Sequence, residues 1–357
     1  MGKKILKGVG ILAAVLLLVV VGYVVYVFAS YSRIEDHQVL EPENNKEALV
    51  NAETDYTITT FNIGFGAYSS DYSFFMDGGT ESRAFSRDAV IDNTDGTAKV
   101  IADIDPDFAF FQEVDLDSTR SYHVDQYEML KQWFPDMASD FGLNYDSAYL
   151  FYPILKPHGK SVAGLATFSD YKIESVERRS LPIDTSPMKF VDLDRCYVVS
   201  RLPVDNGKYL CLYNMHLSAY TKDGTIREEQ IDMLSEDMSR EYQAGNYVVC
   251  AGDFNQDLYG NSQDIFHSKQ ETPGWAEAFP RERLAEGLQL TLPGIDGSLV
   301  PTCRNADKPY VKGDNFVTVL DGFILSDNVE CISVENIDAG FEHSDHNPVK
   351  LQFRLKK

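Results

Sequence analysis

Val248-Val249-Cys250-Ala251-Gly252-Asp253-Phe254-Asn255 joins a run of apolar and small residues directly to a carboxylate and an amide. Such a run reads as a β-strand, and the polar residues at its end stand where loops on a rigid sheet bring distant groups together. The same pattern recurs along the chain. Thr57-Ile58-Thr59-Thr60-Phe61 leads into Asn62, Phe108-Ala109-Phe110-Phe111-Gln112 into Glu113, and Cys211-Leu212-Tyr213-Asn214-Met215 into His216. Val319-Leu320 leads into Asp321, and a last strand follows Ser344-Asp345-His346-Asn347-Pro348. Singly, an Asn or Asp after a strand is a turn or helix-cap residue and a lone histidine is structural. As a set, carboxylates, amides and histidines are what a hard divalent cation and a phosphoryl group need: oxygen ligands, donors for developing charge and a base for water.

Strands are expected over Tyr56–Asn62, Phe108–Glu113, Val162–Phe168, Cys196–Leu202, Tyr209–His216, Tyr247–Gly252, Val319–Leu325 and Val349–Phe353. Ile231, Leu234, Met238 and Tyr242 recur at three and four residues, which predicts an amphipathic helix after Arg227 packed on a sheet. There is no internal repeat and no low-complexity segment.

These residues carry a resemblance. The ordered series Thr60-Phe61-Asn62, Phe111-Gln112-Glu113-Val114-Asp115, Asn214-Met215-His216-Leu217, Gly252-Asp253-Phe254-Asn255, Leu320-Asp321-Gly322-Phe323-Ile324 and Ser344-Asp345-His346-Asn347-Pro348-Val349 resembles the endonuclease/exonuclease/phosphatase superfamily. That superfamily includes pancreatic-type deoxyribonucleases, abasic-site endonucleases, inositol-polyphosphate 5-phosphatases and neutral sphingomyelinases. Each motif is short; six in the right order, over about residues 55–355, are specific. The fold implied is a four-layer α/β sandwich, two mixed β-sheets face to face with helices outside.

Carried over, the resemblance implies that Glu113 ligates Mg²⁺ or Mn²⁺, that Asn62 helps to hold the metal or a phosphate oxygen, and that Asp345 supports the metal site. Asp253 would orient or deprotonate the attacking water, and Asn255 would bind the phosphate. His346 would donate to a non-bridging oxygen while Asp321 fixes its tautomer, and His216 would contact phosphate or assist the leaving group. The stretch from Glu113 to Ser121 is similar to a form of this motif in several exported members. Arg120 and Arg304 are the candidate substrate-binding residues, since a planar guanidinium grips a phosphate bidentately. The loop from Phe61 to Asp77, rich in aromatics and glycine, departs from the compact deoxyribonuclease pattern and reads either as a lid or lipid-contacting rim, or as a loop folded into the core.

Val9 to Ala29 is an uncharged run of 21 residues. As a helix rising about 1.5 Å per residue it spans roughly the 30 Å of a bilayer core. A cleaved secretory signal is the rival, but the run is longer than such apolar regions and lacks a convincing cleavage site. Lys3, Lys4 and Lys7 precede it, which favours an N-terminus in the cytoplasm and an exported domain. The expected organisation is a cytoplasmic N-terminus at 1–8, a transmembrane anchor at 9–29, a polar tether at 30–54 and a catalytic domain at 55–357.

With 357 residues and 44% hydrophobic composition the chain can build a sizeable core. The whole carries a formal charge of −23, and because its first thirty residues hold three lysines and no acid, the remainder carries −26. Such a field repels a nucleic-acid backbone. Five cysteines without CxxC spacing imply neither a zinc site nor a dense disulfide framework, and one disulfide stays compatible with an exported domain. The leading reading is thus a metal-dependent phosphoester hydrolase at the outer face of the membrane, acting on a lipid head group or small phosphoester. A surface nuclease acting on DNA or RNA and a catalytically inactive binding domain are the alternatives; the completeness of the residue set speaks against the latter.

Overall fold

The computed structural model describes residues 2–184, 186, 189, 193–219 and 224–357. Its strands, in chain order, are β1 (Gln38–Leu40), β2 (Asp55–Asn62), β3 (Phe108–Asp115), β4 (Ala138–Asp146), β5 (Val162–Ser169), β6 (Ser175–Ser180), β7 (Cys196–Pro203), β8 (Tyr209–His216), β9 (Tyr247–Asp253), β10 (Leu288–Thr291), β11 (Cys303–Arg304), β12 (Val317–Thr318), β13 (Asp321–Ser326), β14 (Val329–Asn336) and β15 (Val349–Leu355). They build a seven-stranded sheet in the order β1-β6-β7-β8-β9-β13-β10 and a six-stranded sheet in the order β14-β15-β2-β3-β5-β4, with β11-β12 as a separate ribbon. Both sheets are mixed. In the first β8 and β9 are parallel, and in the second β2 and β3 are parallel.

Side chains alternate between the two faces of a strand, so a strand that is apolar throughout must be covered on both. Along β9, Val249 and Ala251 face the other sheet and join Leu212, Phe323, Ile58, Phe110 and Leu351 in the core between the sheets. Val248 and Cys250 face outward and pack with Ile231, Leu234 and Met238. Those last three residues line one face of a helix. The helices are α1 (Gly2–Ser30), α2 (Arg87–Ala102), α3 (Gln126–Trp133), α4 (Thr225–Gln243) and the short α5 (Ser262–Phe266). On the second sheet, Phe61, Ala109 and Phe111 pack outward with Ala98 and Ile101 of α2 and Leu130 of α3. The result is the expected sandwich of two mixed sheets with helices outside.

The N-terminal helix α1 is 29 residues long, buries none of them, and is long and apolar enough to cross a membrane. The expectation of an unpacked tether over 30–54 is corrected. β1 pairs with β6 at the sheet edge, Val50 is buried in the inter-sheet core, and Arg33 donates to the Leu181 carbonyl across 2.5 Å. β1 is three residues long, and so short an apolar run, Val39-Leu40, does not stand out within a polar segment. All five cysteines are free thiols, and all but Cys331 are buried.

Candidate active site

The parallel pairing of β8 with β9 sets His216 opposite Asp253, and the antiparallel pairing of β9 with β13 sets Asp253 opposite Asp321. Three candidate residues thus stand in a row at one end of these adjacent strands. At this point the strands need a close approach. Gly252 sits at φ +145°, and a Cβ there would fall 1.9 Å from the Met215 carbonyl oxygen, so only glycine fits between β8 and β9. On the facing sheet Asn62 pairs with Gln112, and the register then breaks between Phe111 and Val114. Glu113 lies in that irregularity at φ +55°, which turns its side chain toward the site.

The two sheets are tied together just here. The Asn62 amide donates to Glu113 across 3.2 Å and to Asp253 across 3.0 Å, while its oxygen accepts from the Gly64 N–H. Beneath it, the Gln112 amide donates to Asn214 Oδ1 across 2.8 Å, linking β3 to β8 through the core. Asp253 accepts the Asn255 N–H at 2.8 Å. Its other oxygen lies 3.4 Å from His216 Nε2 and 3.7 Å from His346 Nε2. His346 Nδ1 donates to Asp321 across 2.8 Å. The Ser344 hydroxyl donates to the Asn62 carbonyl and accepts the His346 N–H, which fixes the loop carrying Asp345 and His346 over β2.

Electrostatics divide the two imidazoles. Burial alone would lower the His346 pKa, but the carboxylates of Asp321 and Asp253 override it and raise it well above the usual histidine value. His216 is pushed well below that value by burial and by the nearby Arg195 charge. The two rings are therefore pushed in opposite directions, His346 toward its cationic form and His216 toward its neutral one. Burial, aided by the Asp321 charge and opposed by His346, pushes the Asp253 carboxyl up to about 6. Asp345 is pushed up to about 7 by burial, with the Glu113 charge adding to it against His346 and Arg304.

Two groups of side chains are of metal-ligand type. Asp253, Asp321 and His346 each bring a ligand atom within 4.8 Å of the others. That set is closed by its own hydrogen bonds, with Asp321 on His346 and Asp253 on Asn62 and Asn255. Glu113 and Asp345 instead both face the cleft, and Asn62 beside Glu113 keeps a second lone pair on its oxygen. These are oxygen donors alone, which fits a hard divalent cation such as Mg²⁺ or Mn²⁺, and such a cation favours the charged form of both carboxylates.

A cleft of about 150 Å³ opens over these groups and is lined by Glu113, His216, Asp253, Asn255, Asp345 and His346. Asn62 and Asp321 stand behind the lining and act on it through their hydrogen bonds. Arg120 and Arg304 both reach the cleft, in different states. Arg120 grips Asp115 bidentately at 3.1 and 2.8 Å and lies over the Phe65 ring, so its fork is already engaged. Arg304 gives one nitrogen to the carbonyls of Tyr68, Ser69 and Tyr72, while Nε and Nη1 are buried without a hydrogen-bond partner. The aromatic loop after Asn62 is folded into the core: Phe65, Tyr68, Tyr72 and Phe74 are buried, and three of these form a wall of the cleft.

Sequence reasoning missed His158, Tyr145, Arg195 and Trp275, which also line the cleft. His158 donates from Nδ1 to the Ser82 carbonyl across 2.8 Å, and burial beside the Arg120 charge pushes its pKa down to about 3. It follows a proline in a loop rather than a strand, so the pattern that revealed the others gives no signal for it.

A sequence-family model described as the Endonuclease/Exonuclease/phosphatase family matches residues 59–346. No curated protein matches by sequence. Among solved structures the chain is similar to ANGEL2, described as a 2',3'-cyclic phosphatase in complex with adenosine-2',3'-vanadate, at 14% identity and TM-score 0.53, covering 91% of this chain and 100% of that one. It is similar to TDP2 of D. rerio complexed with single strand DNA product, at 16% identity and TM-score 0.52, covering 84% and 99%. The human Nocturnin catalytic domain with bound sulfate anion matches at 16% identity and TM-score 0.53, covering 88% and 99%. Identities this low speak to the fold.

Proposed function

The chain belongs to the endonuclease/exonuclease/phosphatase family, and on that premise we propose that it is a divalent-metal-dependent phosphoester hydrolase at the outer face of a membrane, acting on a lipid head group or another small phosphoester. The observation that carries this reading is the Asp253 carboxylate held between the Asn62 amide and two imidazoles, one of them paired with Asp321. ANGEL2 and TDP2, by their descriptions, act on phosphoesters that share little else, which supports the reaction class and leaves the substrate to this chain's own cleft.

In this reading Asp253 orients the attacking water and takes its proton. Burial favours that role because a carboxylate removed from water is a stronger base. His346, kept protonated by Asp321, donates to a non-bridging phosphoryl oxygen. Asn255 and Arg304 hold the phosphate, and neutral His216 contacts it or the leaving group. Glu113, Asn62 and Asp345 hold the cation, whose contribution when bound is to neutralise charge on the phosphoryl oxygens.

The membrane placement rests on α1, with three lysines before the apolar run. The charge of −26 on the remainder disfavours a polyanion, whereas one phosphate needs only the groups above. The test is hydrolysis by the full-length protein, with Mg²⁺ or Mn²⁺, of phospholipids, sphingomyelin, phosphorylated inositols and plasmid DNA. The expected result is a higher specificity constant for a lipid or small phosphoester. Efficient DNA cleavage that falls steeply with salt, without small-phosphoester activity, would make the protein a surface nuclease.

A further inference from the structure

Large apolar side chains exposed outside α1, such as Val39, Trp133 and Ile295, mostly stand singly, but four of them fall together. Phe151 is 54% exposed, Tyr152 68%, Ile154 83% and Leu155 100%, all within one loop. Single exposed apolar residues are ordinary on a protein surface; a contiguous group marks a surface that meets something apolar.

What it meets is indicated by where the loop is held. The Tyr23 hydroxyl of α1 donates to the Tyr149 carbonyl across 3.1 Å and accepts the Phe151 N–H at 3.3 Å. The Tyr26 hydroxyl accepts the Tyr149 N–H at 3.1 Å, and the rings of Tyr23 and Phe151 meet edge to face at 5.2 Å. Tyr23 and Tyr26 belong to the apolar run itself. Tyr23 stands seven residues before the helix end at Ser30, which at about 1.5 Å per residue is roughly 10 Å below it. A loop bonded to those tyrosines shares their depth. That depth matches the roughly 5–10 Å to which interfacial elements bury an apolar face, and tyrosine is the residue enriched there.

The other end of the loop is clipped to the wall of the cleft. The Ser82 hydroxyl donates to the Lys156 carbonyl, Arg83 Nε donates to the Pro157 carbonyl, and His158 Nδ1 donates to the Ser82 carbonyl. The Tyr152 ring meets that of Phe75 at 5.8 Å, and Phe75 meets the His158 ring at 6.2 Å. His158 and the exposed Met76 line the cleft. One short segment therefore touches the spanning helix on one side and the cleft on the other.

We propose that residues 149–155 form a second membrane contact, an apolar loop that enters the outer leaflet beside α1 and sets the mouth of the cleft against the lipid surface. The inference rests on the reading that α1 crosses the membrane. It explains how the cleft is presented to a phosphoester lying at the bilayer, a relation that the helix alone, attached through one end, does not fix.

The test uses the full-length chain in lipid nanodiscs. Leu155→Trp places a probe at a fully exposed position where it disturbs no packing, and Ile295→Trp is the control, beyond β10 at the opposite edge of the sheet from β1. Lipids brominated in the acyl chains should quench the Leu155→Trp emission strongly and that of Ile295→Trp hardly at all, after subtraction of the native tryptophans. Equal quenching at both positions overturns the proposal. So does a Leu155→Trp probe shielded from aqueous iodide yet untouched by brominated lipid, which would mean that a protein or a second copy covers the loop. The double variant Ile154→Asp/Leu155→Asp should slow hydrolysis of a vesicle-presented phosphoester by about tenfold or more and leave a soluble phosphoester unaffected. Quenching without cleavage of any lipid keeps the loop contact and removes the lipid-substrate reading. Lipid cleavage with an unquenched probe does the reverse.

Discussion

His346 Nδ1 lies 2.8 Å from Asp321 Oδ2, and both side chains are buried at the end of the sheet that carries Asp253. A carboxylate only accepts, so the proton sits on Nδ1 and Nε2 is aimed at Asp253 and the cleft. Asp321→Asn keeps the shape and removes the charge. The expected outcome is a fall in kcat of about 10²-fold or more with a smaller change in KM, read from steady-state kinetics. An unchanged kcat would show that the pair is structural.

The two arginines should separate. Arg120 neutralises Asp115, which is fully buried, and breaking such a pair costs about 3–5 kcal/mol. Arg120→Met should therefore lower the denaturation midpoint sharply, whatever it does to catalysis. Arg304 has two nitrogens without partners beside the cleft, so Arg304→Lys, which keeps the charge and loses the planar fork, should raise KM by about tenfold. Normal stability of Arg120→Met, or an unchanged KM in Arg304→Lys, would reassign the residue concerned.

A buried acid away from the site gives a pH signature. Asp140 on β4 accepts the Ser200 hydroxyl of β7 at 2.6 Å, a bond between the two sheets, and burial pushes its carboxyl from the usual 3.8 up to about 7 despite help from Ser200 and Thr167. A raised folded-state pKa means that the native state holds the proton more tightly. Its contribution is then fully present below about pH 4 and is lost as pH rises through 7, by up to about 4 kcal/mol. Denaturation at pH 5 and pH 8 should show wild type losing more stability than Asp140→Asn over that interval. Parallel losses would mean that the acid is solvated.

Residues 38–53 should resist protease in the native protein, because β1 is paired and Val50 is buried. Rapid cutting throughout this segment would restore the unpacked tether that its polar sequence suggests.

What could be read from the chain follows from burial. β2, β3, β8 and β9 are covered on both faces, so they appear as continuous apolar runs, and the residues that end them are the ones that meet at the cleft. Helix α4 shows its apolar stripe for the same reason. β14 escaped because five of its residues, Glu330 to Ile332 among them, are open to solvent or nearly so. α2 escaped because half of its buried face is Asn93, Thr94 and Thr97, the threonines satisfied within the helix by the Val90 and Thr94 carbonyls and Asn93 by the Gly66 carbonyl of the loop packed on it. The engagement of Arg120 by Asp115 was equally hidden, since nothing in a spacing of five residues says that a guanidinium faces inward rather than toward a substrate.

The most direct test of the proposed chemistry combines chelation with two substitutions. Hydrolysis of a small phosphoester is measured for wild type, Glu113→Gln and Asp253→Asn after treatment with chelator and again after addition of Mg²⁺ or Mn²⁺. The expected result is that wild type loses activity with the metal and regains it on addition, while both variants stay lower by about 10²-fold or more at every metal concentration that restores wild type. Full wild-type turnover in chelator, or near-normal turnover in both variants with metal present, would contradict the account.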